Sequence, residues 1–171
     1  KNASLWRFSS DGTMKKILEN LTTSNGLAWS PDGNTMYLAD SWDSTIWKYD
    51  YNQKTGNISN KRIFFQTNIN QGRPDGACVD SQGYYWFAGF DGGRVLRISP
   101  QGELDRELIV PMKRPTMPAF GGDKMNTLFI TSFGNVSNTP LPKASDVMNG
   151  NIISLPTDVI GFQETPFKYT T

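Results

Sequence analysis

The chain has 171 residues, 17 Lys and Arg against 16 Asp and Glu, a net charge of +1, one Cys and no His. These counts exclude Ser-His-Asp and Cys-His nucleophiles, His-ligated metals, intrachain disulfides and thiolate zinc clusters. They leave carboxylates, hydroxyls, amines or an oxygen-ligated cation as the available chemistry, and the balanced charge argues against nucleic-acid or membrane partners.

Aromatic residues make up 12% of the chain, with 16 Gly and 10 Pro, a profile that suits a turn-rich all-β protein. The first predicted strand is Leu5-Trp6-Arg7-Phe8, followed by the turn Ser10-Asp11-Gly12 and a second strand over 14–18. A fuller unit begins with Ser24-Asn25-Gly26-Leu27-Ala28-Trp29-Ser30-Pro31-Asp32-Gly33, a short apolar run between two turns. Strands are then predicted over 35–41, over 45–50 with period-2 alternation, and over 62–65. The order returns at Pro74-Asp75-Gly76-Ala77-Cys78-Val79, with later strands over 85–89, 94–99 and 107–110. It returns again over 115–120, 126–132 and 151–155. The loop 133–150, rich in Asn, Ser and Pro, reads as an insertion.

Four short strands repeating every 40–50 residues or so are the mark of propeller blades. A two-sheet sandwich also has short strands, but it would not repeat turn and strand in one order three times. The expected fold is therefore all-β: a partial β-propeller of four-stranded antiparallel blades. About three and a half blades are present, since rings need four to eight. Residues 1–171 are read as the C-terminal portion of a single propeller domain with no internal boundary. Missing N-terminal blades are expected to complete the ring, because a partial ring leaves sheet edges and apolar faces uncovered.

The repeat carries a further signal. The stretch from Ser24 to Gly33, continued by Tyr37-Leu38-Ala39-Asp40-Ser41, resembles the central motif of the SMP-30/gluconolactonase/regucalcin-like family. So do Gly72-Arg73-Pro74-Asp75-Gly76, Pro115-Thr116 with Phe120-Gly121-Gly122, and Leu128-Phe129-Ile130-Thr131-Ser132. The resemblance runs from about Leu5 to Phe167. It implies a partial six-bladed β-propeller and a metal-dependent hydrolase opening sugar lactones, with one divalent cation (Ca²⁺, Zn²⁺, Mn²⁺ or Mg²⁺) at the mouth of the channel. It implies Asn25 and Asp75 as metal ligands and Asp75 as the catalytic acid/base. The family's third ligand, a Glu in the first blade, and its substrate-contacting Arg and Asn would precede Lys1.

The residues themselves support the pairing. Asn25 and Asp75 hold the same place in consecutive repeats, just before the first strand of each, and first strands line a propeller's channel. Equivalent positions converge at one end of it. An amide oxygen and a carboxylate there are hard ligands for Ca²⁺, Mg²⁺ or Mn²⁺. Such a cation would polarise a lactone carbonyl, while Asp75 took a proton from the attacking water and returned it to the leaving alkoxide. The bland reading is that Asn-Gly and Asp-Gly are turn dipeptides. Asp11-Gly12 and Asp32-Gly33 are read as turns only. The position ahead of the first strand is what separates Asn25 and Asp75 from them.

Other features are read as structural. Thr116 shares the equivalent place, but a neutral hydroxyl is a poor ligand. Asp40 and Asp80 are expected to be hydrogen-bonded turn carboxylates, and Asp91-Gly92-Gly93 a hairpin. Trp29, Trp47 and Trp86 are expected between blades, Cys78 as an inert buried thiol and Lys15-Lys16 at a solvated strand end. The sequon matches at Asn20, Asn57 and Asn135 are read as chance. Two alternatives to the lactonase stand: a non-catalytic cation-binding propeller, and a related six-bladed esterase or phosphotriesterase. The single Cys is compatible with the expected cytoplasmic location.

Overall fold

The computed structural model describes residues 1–134 and 148–167. Thirteen strands follow one another: β1 (Ala3–Phe8), β2 (Met14–Leu21), β3 (Ser24–Trp29), β4 (Thr35–Asp40), β5 (Thr45–Asn52), β6 (Asn57–Gln66) and β7 (Arg73–Val79), then β8 (Tyr85–Phe90), β9 (Arg94–Ile98), β10 (Leu104–Ile109), β11 (Pro115–Gly121), β12 (Thr127–Ser132) and β13 (Ile152–Pro156). A 3-10 turn, Ser41–Asp43, stands between β4 and β5, and no helix among the described residues is long and apolar enough to cross a membrane.

Within each sheet the strands pair antiparallel with their sequence neighbours, giving β1-β2, β3-β4-β5-β6, β7-β8-β9-β10 and β11-β12-β13. Local turn chemistry drives this order. Asp11 Oδ1 accepts the Thr13 N–H at 2.9 Å, and Asp32 Oδ1 accepts the Asn34 N–H at 3.0 Å. The glycines that follow each Asp take left-handed φ values of 84° and 68°. Both dipeptides are Asx turns, as the sequence predicts.

Alternation along each middle strand builds the layers between sheets. Met36 and Leu38 of β4 face Leu21 and Tyr49, while Tyr37 and Ala39 face Phe64, Tyr85 and Phe87. In β8, Tyr85 and Phe87 enter that second layer, whereas Trp86 joins Cys78, Leu128 and Ile130 in a third. Three apolar layers thus separate four consecutive sheets, the stacking of a partial β-propeller. Burying each large side chain contributes about 1.5–3 kcal/mol, so the layers dominate the stability of the stack. The terminal sheets present Trp6, Phe8 and Met14 on one side and Phe129 and Ile152 on the other, all exposed.

The outer strands are longer than predicted. β6 begins at Asn57 rather than 62 and β10 at Leu104 rather than 107. Their added residues are mostly exposed, so pairing with β5 and β9 holds them rather than an apolar pattern. Of the expected insertion 133–150, residues 135–147 lie outside the described residues, as does the sequon Asn135. Beyond β13 the chain returns across the end of β7. There the Ser81 N–H donates to the Ile160 carbonyl at 2.8 Å and the Phe162 N–H to the Val79 carbonyl at 3.1 Å.

Candidate active site

The first strands of the three later sheets lie side by side, with β7 packed between β3 and β11. Asn25, Asp75 and Thr116 sit in these strands, at one end of the stack. They are inside the strands rather than just before them, because a register skip lets the ladder run past them. Asn25 pairs with Ala39, and the next pair is Ala28 with Tyr37. Pro74 pairs with Gly89, then Ala77 with Phe87; Pro115 pairs with Ser132, then Met117 with Thr131. One residue is left over each time, so Asp75 and Thr116 are bypassed and Asn25 stands at the last pair before the skip.

Two glycines permit the close approach of these strands. A Cβ on Gly26 would lie 3.2 Å from the Asp75 carbonyl oxygen, and one on Gly76 would lie 2.7 Å from that of Thr116. The same step from blade to blade is thereby repeated, which supports the equivalence of Asn25, Asp75 and Thr116.

The Asn25 amide is oriented by its neighbours. The Ser41 hydroxyl spends its one hydrogen on the Pro74 carbonyl, 2.6 Å away. It therefore accepts from Asn25 Nδ2 at 2.8 Å. With the nitrogen committed, Asn25 Oδ1 is the oxygen donor left to the site. Behind it, buried Asp40 accepts the N–H groups of Thr22 and Thr23 at 2.8 and 2.9 Å and fixes the entry into β3. This is the turn-carboxylate role the sequence predicts.

Asp75 is half-buried, and burial pushes its carboxyl up to about 6, against the opposing Arg73 charge and the Gly76 N–H. Arg73 in turn donates to Asp91 Oδ2 at 2.7 Å, and Arg114 Nε donates to Asp91 Oδ1 at 2.8 Å. Burial raises the Asp91 carboxyl, but the hydrogen bonds from Arg73 and Arg114 outweigh it and hold the group below its ordinary value. Asp91 is the left-handed hairpin residue expected, with φ 65°, and it is also an arginine clamp. No local pattern foreshadows the clamp, because its partners lie on other strands. Ser41 was visible in the motif, but its role appears only when β4 and β7 are neighbours.

The remaining candidates fall where structural readings put them. Thr116 Oγ1 shares a hydrogen bond with Thr131 Oγ1 at 2.7 Å. Trp29 and Trp47 pack in the first layer and Trp86 in the third. Cys78 is buried, and burial drives its thiol far upward, so it is unreactive. Lys16 lies over the Trp6 ring at 5.5 Å on an exposed strand. Asp80 is more than a turn carboxylate: it accepts the N–H groups of Gln82 and Tyr84, Trp86 Nε1 and the Arg97 guanidinium.

Among the described residues no group of three or more His, Cys, Asp or Glu gathers. Adjacent first strands carry an oriented amide oxygen and a carboxylate at this end of the stack. Both are hard oxygens, so the set fits one divalent cation that takes further ligands from elsewhere.

The fold and this oxygen-donor pair define a β-propeller with a candidate catalytic mouth. The chain belongs to the family described as the SMP-30/gluconolactonase/LRE-like region, which matches residues 1–134. It is 42% identical over 130 residues to the 6-deoxy-6-sulfogluconolactonase of Pseudomonas putida, covering 75% of this chain and 44% of that protein. It is 38% identical over 132 residues to the regucalcin of Danio rerio, covering 77% and 45%. The crystal structure of a calcium-binding protein, regucalcin, from Agrobacterium tumefaciens superposes with a TM-score of 0.86 at 25% identity, over 96% of this chain and 56% of that one. The chain thus spans about half the length of the relatives it matches. Relatives named as lactonases support a lactone-hydrolysing activity in the family.

Proposed function

We propose that the chain is the C-terminal part of a six-bladed, metal-dependent lactonase that opens a sugar lactone. The observation that carries this reading is the placement of Asn25, its amide oriented through Ser41, and the bypassed Asp75 on adjacent first strands at one end of the stack. Asn25 and Asp75 would hold one divalent cation, Ca²⁺, Zn²⁺, Mn²⁺ or Mg²⁺, with further ligands from the blades that complete the ring. When bound, that cation supplies Lewis-acid polarisation of the lactone carbonyl.

The chain's own residues do the rest. Ser41 and Pro74 keep the Asn25 amide nitrogen away from the cation. Asp75 takes a proton from the attacking water and returns it to the leaving ring oxygen, yielding the hydroxy acid. The protein would work in the cytoplasm, where a single unpaired thiol is stable.

The test is proton release from glucono-1,5-lactone by the full-length protein with each cation in turn. Asp75→Ala is expected to lower metal-dependent turnover by about a hundredfold or more; unchanged turnover would overturn the assignment. A second reading, a cation site without hydrolysis, draws on the calcium-binding description of the Agrobacterium protein. Cation binding that needs Asn25 and Asp75, with no proton release from any lactone, would favour it.

A further inference from the structure

At the same end of the stack an indole stands in the open. Trp42 is 64% exposed, yet its backbone is firmly held. The Ser41 N–H donates to the Thr23 carbonyl at 3.0 Å, the Ser44 N–H to the Ser41 carbonyl at 3.2 Å, and the Thr67 N–H to the Ser44 carbonyl at 2.9 Å. Thr45 Oγ1 donates to the Asp43 carbonyl at 2.8 Å. Ser44 completes the turn with φ 50°, a left-handed value for a residue other than glycine.

The ring itself is also held. The Arg73 guanidinium lies 4.3 Å from the indole centroid and is anchored on its other side by Asp91. The two anchors adjoin the candidate ligands. Ser41, which orients Asn25, immediately precedes Trp42, and Arg73 is two residues before Asp75 on β7. The indole therefore bridges the boundary between the two sheets that carry the oxygen donors.

One ring face lies against the guanidinium and the ring remains largely open to solvent. Its neighbours in the turn, Ser41, Asp43 and Ser44, are polar, and the next ring, Phe90, stands 5.2 Å from the same Arg73 guanidinium. A single aromatic ring is far smaller than the roughly 800 Å² per partner that a stable protein interface needs. It suits a ligand of one ring. A sugar lactone has an apolar C–H surface edged by hydroxyls, and an indole ringed by polar groups is complementary to that surface.

We propose that Trp42, backed by Arg73, is the stacking surface for the sugar ring of the lactone and so sets preference for sugar lactones. This rests on the lactonase reading. Stacking of this kind grips substrate and transition state alike, so its loss acts on KM rather than on kcat.

The test uses the full-length protein and two measurements. In Trp42→Ala, the KM for glucono-1,5-lactone is expected to rise about tenfold with kcat within about twofold, and Trp42→Phe is expected to recover most of the loss. Calorimetric binding of D-glucono-1,5-lactam, which is not hydrolysed as an ester, is expected to weaken by the same factor in Trp42→Ala. Cation affinity should be unmoved. Unchanged KM and unchanged lactam affinity in Trp42→Ala overturn the proposal, as does a lactam that fails to bind the wild type. If the wild type opens no lactone but its lactam binding still depends on Trp42, the hydrolase reading fails and the stacking surface stands.

Discussion

The Ser41 hydroxyl donates to the Pro74 carbonyl at 2.6 Å, joining the residue that orients Asn25 to the residue preceding Asp75 across a sheet boundary. The two candidate ligands are thus positioned by one shared hydroxyl. Ser41→Ala is expected to weaken divalent-cation affinity about 10–100-fold, the usual effect of removing a residue that orients a metal ligand. Leaving the Pro74 carbonyl without its donor should cost about 1–3 kcal/mol of stability. Isothermal titration with Ca²⁺ and Mn²⁺ checks this, and an unaltered affinity would dissociate Ser41 from the site.

Asp75 links the site to pH. Its folded-state carboxyl is raised from 3.8 to about 6, so the folded state holds its proton more tightly than the unfolded chain does. Below about pH 4 the group makes no difference. Its cost to stability grows between pH 4 and 6 and is full above that. In cation-free buffer Asp75→Asn is therefore expected to stabilise the protein at pH 7.5, by about 1 kcal/mol after allowing for solvent screening, and not at pH 3.5. Urea midpoints at the two pH values decide it; a gain that is equal at both would place its origin elsewhere.

The Asp80–Arg97 pair is fully enclosed, with side chains 0% and 5% exposed. Arg97 also donates to Asp105 at 2.8 Å and to Gln82 Oε1 at 2.7 Å, and it lies 3.6 Å from the Tyr84 ring centroid. Arg97→Ala strands the Asp80 carboxylate among buried groups. It is expected to cost about 3–5 kcal/mol in urea unfolding. A loss under 1 kcal/mol would mean that water reaches Asp80.

Tyr85 Oη donates to the Gly26 carbonyl at 2.7 Å, from β8 of one sheet to β3 of the sheet before it. Tyr85→Phe keeps the packing and leaves that carbonyl without its donor. The expected loss is about 1–3 kcal/mol with no change in the dependence on denaturant. An altered denaturant dependence would instead indicate a change in how the two sheets unfold.

Much of this architecture is legible along the chain. Asp11-Gly12 and Asp32-Gly33 announce their turns by local chemistry. The β-prone run Met36-Tyr37-Leu38-Ala39 announces a strand. The candidates Asn25 and Asp75 stand out because the repeat places them alike. What stays hidden is whatever joins distant segments. Ser41 serves Asn25 only because Pro74 is close, and Arg97 reaches Asp80 only because β9 and the β7 end share a sheet. Trp42 has no periodic neighbours to mark it, and its setting depends on Arg73, which is 31 positions further on.

The register skip that recurs in β3, β7 and β11 has a broader meaning. A residue at or beside the skip stands where the two-residue alternation that fills the apolar layers breaks. Its identity can change from amide to carboxylate to hydroxyl, as from Asn25 to Asp75 to Thr116, while the packed side chains stay the same. Each blade therefore offers one interchangeable socket. The reagents at the mouth and the masonry that supports them are written on different residues.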